Sequence, residues 1–183
     1  MADVNQLIAD FYRVAAARDF QRDVQFRLLA ISPGGTTTTY NQDDLVYARA
    51  ATLPARAISN VKASYMGLNF NIPGTANYPN SENYTLEFYN DADNDLYKKF
   101  EDWSRDIFDD ASSTGNYFPP TQASTIDLIQ LDTEMNQVDQ YQLVGVSIRN
   151  VGPIQYNISE GTGDLIKFPV TLSYHYYIRK NTP

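Results

Sequence analysis

Residues 83–107, NYTLEFYNDADNDLYKKFEDWSRDI, change their hydrophobic period once, and that change restricts the possible folds more than any other feature. Tyr84, Leu86 and Phe88 alternate with Thr85, Glu87 and Tyr89, the period of a strand with one buried face. From Leu96 the apolar residues recur at i, i+4, i+7 and i+11. Leu96, Phe100, Trp103 and Ile107 therefore form one stripe on a helix. A strand leading directly into an amphipathic helix requires a shared core between them. We expect all four stripe residues to face a sheet.

The acids between the two patterns allow a second reading. Asp91, Asp93 and Asp95 occupy positions 1, 3 and 5 of a calcium loop, which also needs glycine at 6 and glutamate at 12. Position 6 is Leu96 and position 12 is the shorter Asp102, so the loop fails at both places. As a helix start the residues are consistent. Asp91 or Asp93 caps the helix, the other acids lie against the positive end of its dipole, and Asp95–Lys99 and Glu101–Arg105 are spaced for ion pairs. No metal is expected here.

The chain has 183 residues, enough for one domain with a real core, and no linker or internal repeat divides it. Fourteen basic against 22 acidic residues give a formal charge of −8, which excludes a protein that grips nucleic acid through a basic stripe. It leaves room for one that nucleic acid must slide past. With no cysteine, disulfides and thiol catalysis are excluded. The first twenty residues carry acids and no apolar run, unlike a signal peptide, and no segment reaches the length of a membrane span. The sequons at Asn83 and Asn157 then carry no weight. The 14 tyrosines suit strands or half-wet contact surfaces.

Along the chain, Leu7, Phe11 and Val14, flanked by Ile8, Tyr12 and Ala15, predict a short N-terminal helix capped by Asp3 or Asn5 and packed on the body. VQFRLLAI (24–31) and LVYARAATL (45–53) read as strands around SPGGTTTTYNQDD, a loop expected to stand proud. AISNVKASYMGLNFNIPG reads as two extended segments meeting near Gly67. In the second, Met66, Leu68, Phe70 and Ile72 form a face expected to be buried, opposite a small, uncharged polar face. STIDLIQLD and YQLVGVSIRNV are strands whose alternation slips at Leu128-Ile129 and Leu143-Val144, marking bulges or a switch of sheet. The last segment, IKFPVTLSYHYYIRK, places Phe168, Val170, Leu172, Tyr174, Tyr176 and Ile178 on one side. Pro169 cannot donate to a ladder, so an edge or near-edge position is expected there. The fold class is mainly β: two packed antiparallel sheets, a sandwich or barrel, with an N-terminal helix and a peripheral mid-chain helix.

Chemistry is absent from these patterns. The single histidine, His175, shares a strand face with Thr171 and Ser173 and has no nucleophile or orienting carboxylate near it in sequence. One histidine and no cysteine rule against zinc. Neither a P-loop nor any GxSxG, GxGxxG, HExxH or SxxK motif occurs. No enzyme, cofactor site or metal site is expected.

Several stretches, in order, resemble the tube-protein family of contractile bacteriophage tails. These are the N-terminal helix with RDFQRDVQFRL, the hairpin ATLPARAISNVKASYMGLNFNIPG, the junction YTLEFYNDADNDLYKKFEDW and the closing strand IKFPVTLSYHYYI. The resemblance spans nearly the whole chain, with a longer 32–44 loop and an unmatched NYFPPTQ. It implies two packed sheets with a peripheral helix, assembled as hexameric rings whose sheets join around a lumen. Rings would stack into a tube inside a sheath, on a baseplate, in a virion tail assembled in the host cytoplasm. DNA would pass without specific binding and without a membrane anchor.

Alternatives remain at this stage: a baseplate tube initiator of the same fold, or a ligand-binding β-sandwich. For a tube, the lumen needs a polar face poor in Lys and Arg. Ser64, Asn69 and Asn71 are the candidates, with Lys62 expected to be offset by Glu87 or placed at the hairpin's base.

Overall fold

The computed structural model describes residues 4–17, 20–115, 123–157 and 163–181. In chain order its elements begin with α1 (Val4–Ala17), β1 (Phe26–Ser32), α2 (Gln42–Val46), β2 (Ala48–Ala50), β3 (Ala57–Tyr65) and β4 (Leu68–Asn77). There follow β5 (Tyr84–Tyr89), α3 (Asp95–Ile107), β6 (Phe108–Asp109), β7 (Thr114–Gly115) and β8 (Thr125–Leu131). The chain ends with β9 (Gln137–Val144), β10 (Ser147–Val151), β11 (Lys167–Ser173) and β12 (Tyr176–Asn181).

The strand-to-helix junction forms as its two periods require. Tyr84, Leu86 and Phe88 are buried on β5, and Leu96, Phe100 and Trp103 are buried on α3. Ile107, the fourth stripe residue, is partly buried and packs against the same core. Asp91 caps the helix: its carboxylate accepts from the backbone N–H of Asp95 at 2.9 Å and of Leu96 at 3.1 Å. Partial burial alone would raise the Asp91 pKa, but these two bonds, with Lys98 nearby, hold it below the usual carboxylate range. Both of its oxygens are therefore engaged by the helix. The expected ion pairs differ. Asp95 pairs with Lys98 at 3.2 Å, whereas Lys99 crosses to Asp44 on α2, which it bonds through both oxygens at 2.6 and 2.8 Å. A partly buried partner on another element outcompetes an exposed neighbour on the same helix.

Two four-stranded antiparallel sheets, ordered β1-β8-β9-β12 and β10-β11-β5-β2, pack around a core shared with α3. Phe88, Phe100 and Phe168 are fully buried, with ring centroids 5.0 to 6.1 Å apart, and Tyr40 meets Phe100 in a tilted contact at 5.0 Å. Tyr40 belongs to the loop expected to stand proud. Its hydroxyl donates to the Lys99 carbonyl, Thr36 bonds Asp106, and Leu45 is buried, so this loop is fastened along α3. Burial and the nearby Asp44 and Asp102 charges push the Tyr40 pKa far up. The strand expected over 45–53 shrinks to β2, because residues 42–46 wind into α2 to deliver Leu45 and Asp44 to that contact.

The slip at Leu128-Ile129 lies within β8, beside a bulge of β1 between Leu28 and Ala30, whereas the slip at Leu143-Val144 marks a change of sheet. Leu143 and Val144 are both buried because the chain leaves the first sheet there and re-enters the second as β10. Gly145 makes the turn at φ +71, and a Cβ on it would lie 2.1 Å from Cδ2 of His175. His175 sits at the matching transition, where β11 of the second sheet becomes β12 of the first. The single long alternation expected for 166–180 therefore breaks, and Ile178 is exposed. Pro169 takes the near-edge position expected of it, since β11 lies next to the edge strand β10. A residue's nitrogen and carbonyl point to the same side of a strand. The Pro169 carbonyl accepts from Gly152 at 2.7 Å, just past the end of β10, so the missing donor faces the place where β10 runs out.

Two further expectations fail together. α1 is a helix, but Ile8, Phe11, Tyr12 and Val14 are 47 to 68% exposed, and Phe11 stacks on nearby Phe20 at 5.8 Å and meets Tyr12 edge-on at 5.9 Å. Asp3 and the side chains of Asn5 and Leu7 lie outside what is described. On β4, no residue is buried. Amphipathic pattern predicts an apolar face, and does not say that the same chain covers it.

Candidate functional site

The hairpin of β3 and β4 is the part of the fold that its own core does not explain. Met66 and Gly67 both take positive φ, +50° and +80°, the backbone of a two-residue type I′ turn that matches strand twist. Tyr65 and Leu68 close the ladder above it. A left-handed methionine is costly, and this one is 85% exposed. Near the base, the register slips between Ile58 and Asn60. There Ser59 Oγ donates to the Thr75 carbonyl and accepts from the Thr75 N–H, so the bulge is closed by its own side chain.

Register assigns each residue to a face, because directly paired residues point the same way. Val61 pairs with Ile72, Ala63 with Phe70 and Tyr65 with Leu68, forming an apolar face without a charge. Its large side chains are 50 to 68% exposed. Lys62 pairs with Asn71 and Ser64 with Asn69, forming the polar face. Ser64 Oγ donates to Asn69 Oδ1 at 2.7 Å. The lumen candidates Ser64, Asn69 and Asn71 are therefore brought together on one face, as alternation across the turn predicts.

Lys62 behaves otherwise than expected. Glu87 is engaged by Arg49, and Lys62 lies in mid-hairpin opposite Asn71. What sequence reading missed is the exposure of the apolar face, including Val61 and Tyr65 on β3. The available signal was that both hairpin strands alternate while no neighbouring segment supplies a third strand. Among the described residues, no group of three or more His, Asp or Glu side chains could hold a metal, and no helix is long and apolar enough to cross a membrane.

No curated protein matches the chain. Among solved structures, it is similar to the sheath/tube terminator of an extracellular contractile injection system in its extended state, with a TM-score of 0.61 and 10% identity over 89% of this chain and 98% of that one. It is also similar to the tube-terminating cap of the anti-feeding prophage, at 0.59 and 9% over 90% and 93%. A chain of the sheath–tube complex of an extracellular contractile injection system matches at 0.55 and 10% over 93% and 97%. At such identities the likeness concerns the fold. The sequence profile of the phage tail tube protein family matches residues 17–180, so the chain belongs to that family and is a structural subunit of a tail tube.

Proposed function

We propose that the whole chain acts as one tube domain, assembling into hexameric rings that stack inside a contractile sheath on a baseplate. The observation that carries this reading is the hairpin. Its apolar face, with Tyr65, Leu68, Phe70 and Ile72 at least half exposed, is unsuited to a solitary subunit in water. A second copy is the occupant that a self-assembling family offers. The opposite face, with Ser64, Asn69 and Asn71, faces the lumen.

In that position the polar face has to let DNA pass. Each copy carries −8, so six around a channel repel a polyanion. Lumen cations must be scarce, since six to ten phosphate contacts already support binding of roughly 10⁻⁴–10⁻⁶ M at physiological salt. Lys62 is one such cation, on the same face and opposite an amide. The protein needs no cofactor or catalysis for this role and no membrane anchor, and it assembles in the host cytoplasm before entering the virion tail.

Negative-stain microscopy of the purified protein tests the reading. Stacked rings or tubes with an open channel are expected. A monodisperse monomer at high concentration would refute it, and single capped rings would favour a tube initiator or terminator of the same fold.

A further inference from the structure

The sheet ordered β10-β11-β5-β2 has a second, outward face rich in small polar side chains. Leu86, Phe88, Val170 and Leu172 point into the core, so their strand neighbours point out. Across the ladder these outward residues include Ser147 paired with Ser173, Asn150 with Thr171 and Thr171 with Thr85, with Pro169 opposite Glu87 and Lys167 opposite Tyr89 further along. The first three pairs form a field of hydroxyls and an amide, and the Ser147 and Ser173 hydroxyls share a hydrogen bond at 2.7 Å. Such groups offer phosphate no fixed charge.

Three cations lie on or beside this face. Arg149 donates to the Glu82 carbonyl at 2.7 Å, and Lys167 stands at the first residue of β11. Arg49 is the central one. It is bonded by Glu87 from the adjacent strand, and its guanidinium carbon lies 5.9 Å from the Tyr89 ring centre. Both side chains of the pair are more than a third exposed. An exposed, solvent-screened pair of this kind contributes little to stability, so stability gives little reason for it. Its effect on the surface is larger: a guanidinium beside a carboxylate presents a dipole to a passing phosphate instead of a full charge.

The outward face of the other sheet makes the contrast. Arg27, Ile129, Gln140 and Lys180 form one row there, and Ala30, Asp127, Gln142 and Ile178 the next. Arg27 donates to the neutral amide of Gln42 at 3.3 Å, and Lys180 is 4.0 Å from Asp127. Exposed Ile178 adds an apolar contact. That mixture suits a protein neighbour better than a sliding polyanion.

We infer that the outward face of the β10-β11-β5-β2 sheet lines the channel together with the polar hairpin face, and that Glu87 masks Arg49 from passing DNA. This rests on the tube reading above. Arg49 and Glu87 then act as a unit. The arginine fastens β2 to β5 at the sheet edge, and the glutamate keeps that fastening from becoming a phosphate site.

Two measurements on assembled tubes test it. Glu87→Gln exposes one unpaired guanidinium per copy, and such tubes should retain a short fluorescent duplex roughly tenfold or more above wild type at low salt, released steeply as salt rises. The double variant Arg49→Gln/Glu87→Gln should return to wild-type retention, which a folding defect would not do. Unchanged retention in Glu87→Gln tubes would overturn the masking role. The second measurement leaves the pair intact. The chain has no cysteine, so Thr171→Cys gives a single label site. In intact tubes it should react with a small maleimide and resist a polymer-bearing one, and after dissociation it should react with both. Rapid polymer labelling of intact tubes, or protection from both reagents, would place the face outside the channel and sink the inference. Failure of the wild-type chain to form tubes would instead remove the reading on which it rests.

Discussion

Phe100 and Phe70 occupy equivalent places in their respective patterns, yet one is fully buried and the other is 50% exposed. Phe100 sits on α3 among Phe88, Phe168 and Tyr40, where helix, both sheets and the 33–46 segment converge. Phe70 sits on β4, in a two-stranded ladder that no other element among the described residues covers. The same side chain therefore contributes to two different equilibria. At the core seam it holds the subunit together; on the hairpin it awaits a neighbour. The division is testable, because core substitutions should change unfolding and hairpin substitutions should change assembly.

The largest effect belongs to the seam. Trp103 is 2% exposed, and its ring meets Tyr40 edge-on at 6.3 Å. Trp103→Ala should destabilise the subunit by about 3–5 kcal/mol, read as a lowered denaturant midpoint with or without assembly. An unchanged midpoint would mean that α3 is not part of the core.

The next effect belongs to the crossing between sheets. Gly145→Ala places a Cβ against the His175 ring and forces alanine to φ +71, which should cost about 1–3 kcal/mol. Adding His175→Ala should recover the steric part and leave the backbone part. Full recovery by the double variant would show that the positive φ itself costs nothing there.

These cases explain which parts of the fold were legible in the sequence. The seam was legible because Leu96, Phe100 and Trp103 obey one period and bury their stripe within the chain. The slip at Leu143-Val144 was legible as an irregularity, but its meaning needed a second crossing at His175, thirty residues away in sequence. The 33–46 segment was misread because its contacts are long-range: Tyr40 on Phe100 and Asp44 on Lys99 leave no periodic trace. The hairpin was half legible. Alternation sorted Ser64, Asn69 and Asn71 from Phe70 and Ile72 correctly, and then implied a buried face that one chain does not supply. Quaternary burial and tertiary burial write the same pattern.

A smaller effect separates the helix cap from the seam. Asp91→Ala leaves the Asp95 and Leu96 N–H groups without their acceptor and should cost about 1 kcal/mol. Because the folded Asp91 pKa is lowered, its contribution is present above the ordinary carboxylate pKa and is lost as pH falls through the folded value. A tyrosine gives the opposite edge. Burial raises Tyr174 to about 12, so folding keeps its proton while the unfolded chain loses it near pH 10. Its contribution is thus complete below pH about 10 and declines between there and about 12. Stability profiles measured on Asp91→Ala and Tyr174→Phe should each lose the corresponding slope, and an unchanged slope would show that the group does not titrate differently on folding.

The smallest effect on the fold should accompany the largest effect on assembly. Phe70→Ser removes an exposed ring from a face with no cover in the single chain, so the unfolding midpoint of the dissociated subunit should move by no more than about 0.5 kcal/mol. Tube length and yield should nonetheless fall sharply, since that ring is among the apolar groups a second copy would bury. Replacing Asn69 and Asn71 with Lys examines the reverse side of the same ladder. It should leave both midpoint and tube formation nearly intact while adding two positive charges per copy beside Lys62. Virions carrying both lysines should eject DNA more slowly, most of all in low salt where phosphate contacts are strongest. Loss of stability from Phe70→Ser would mean that the subunit covers its own hairpin in solution. Normal ejection by the lysine variant would move the channel to another face, and assembly undisturbed by Phe70→Ser would leave the apolar face without a partner. Each outcome acts on one side of a ladder whose two strands are in fixed register, so the two faces can be assigned independently.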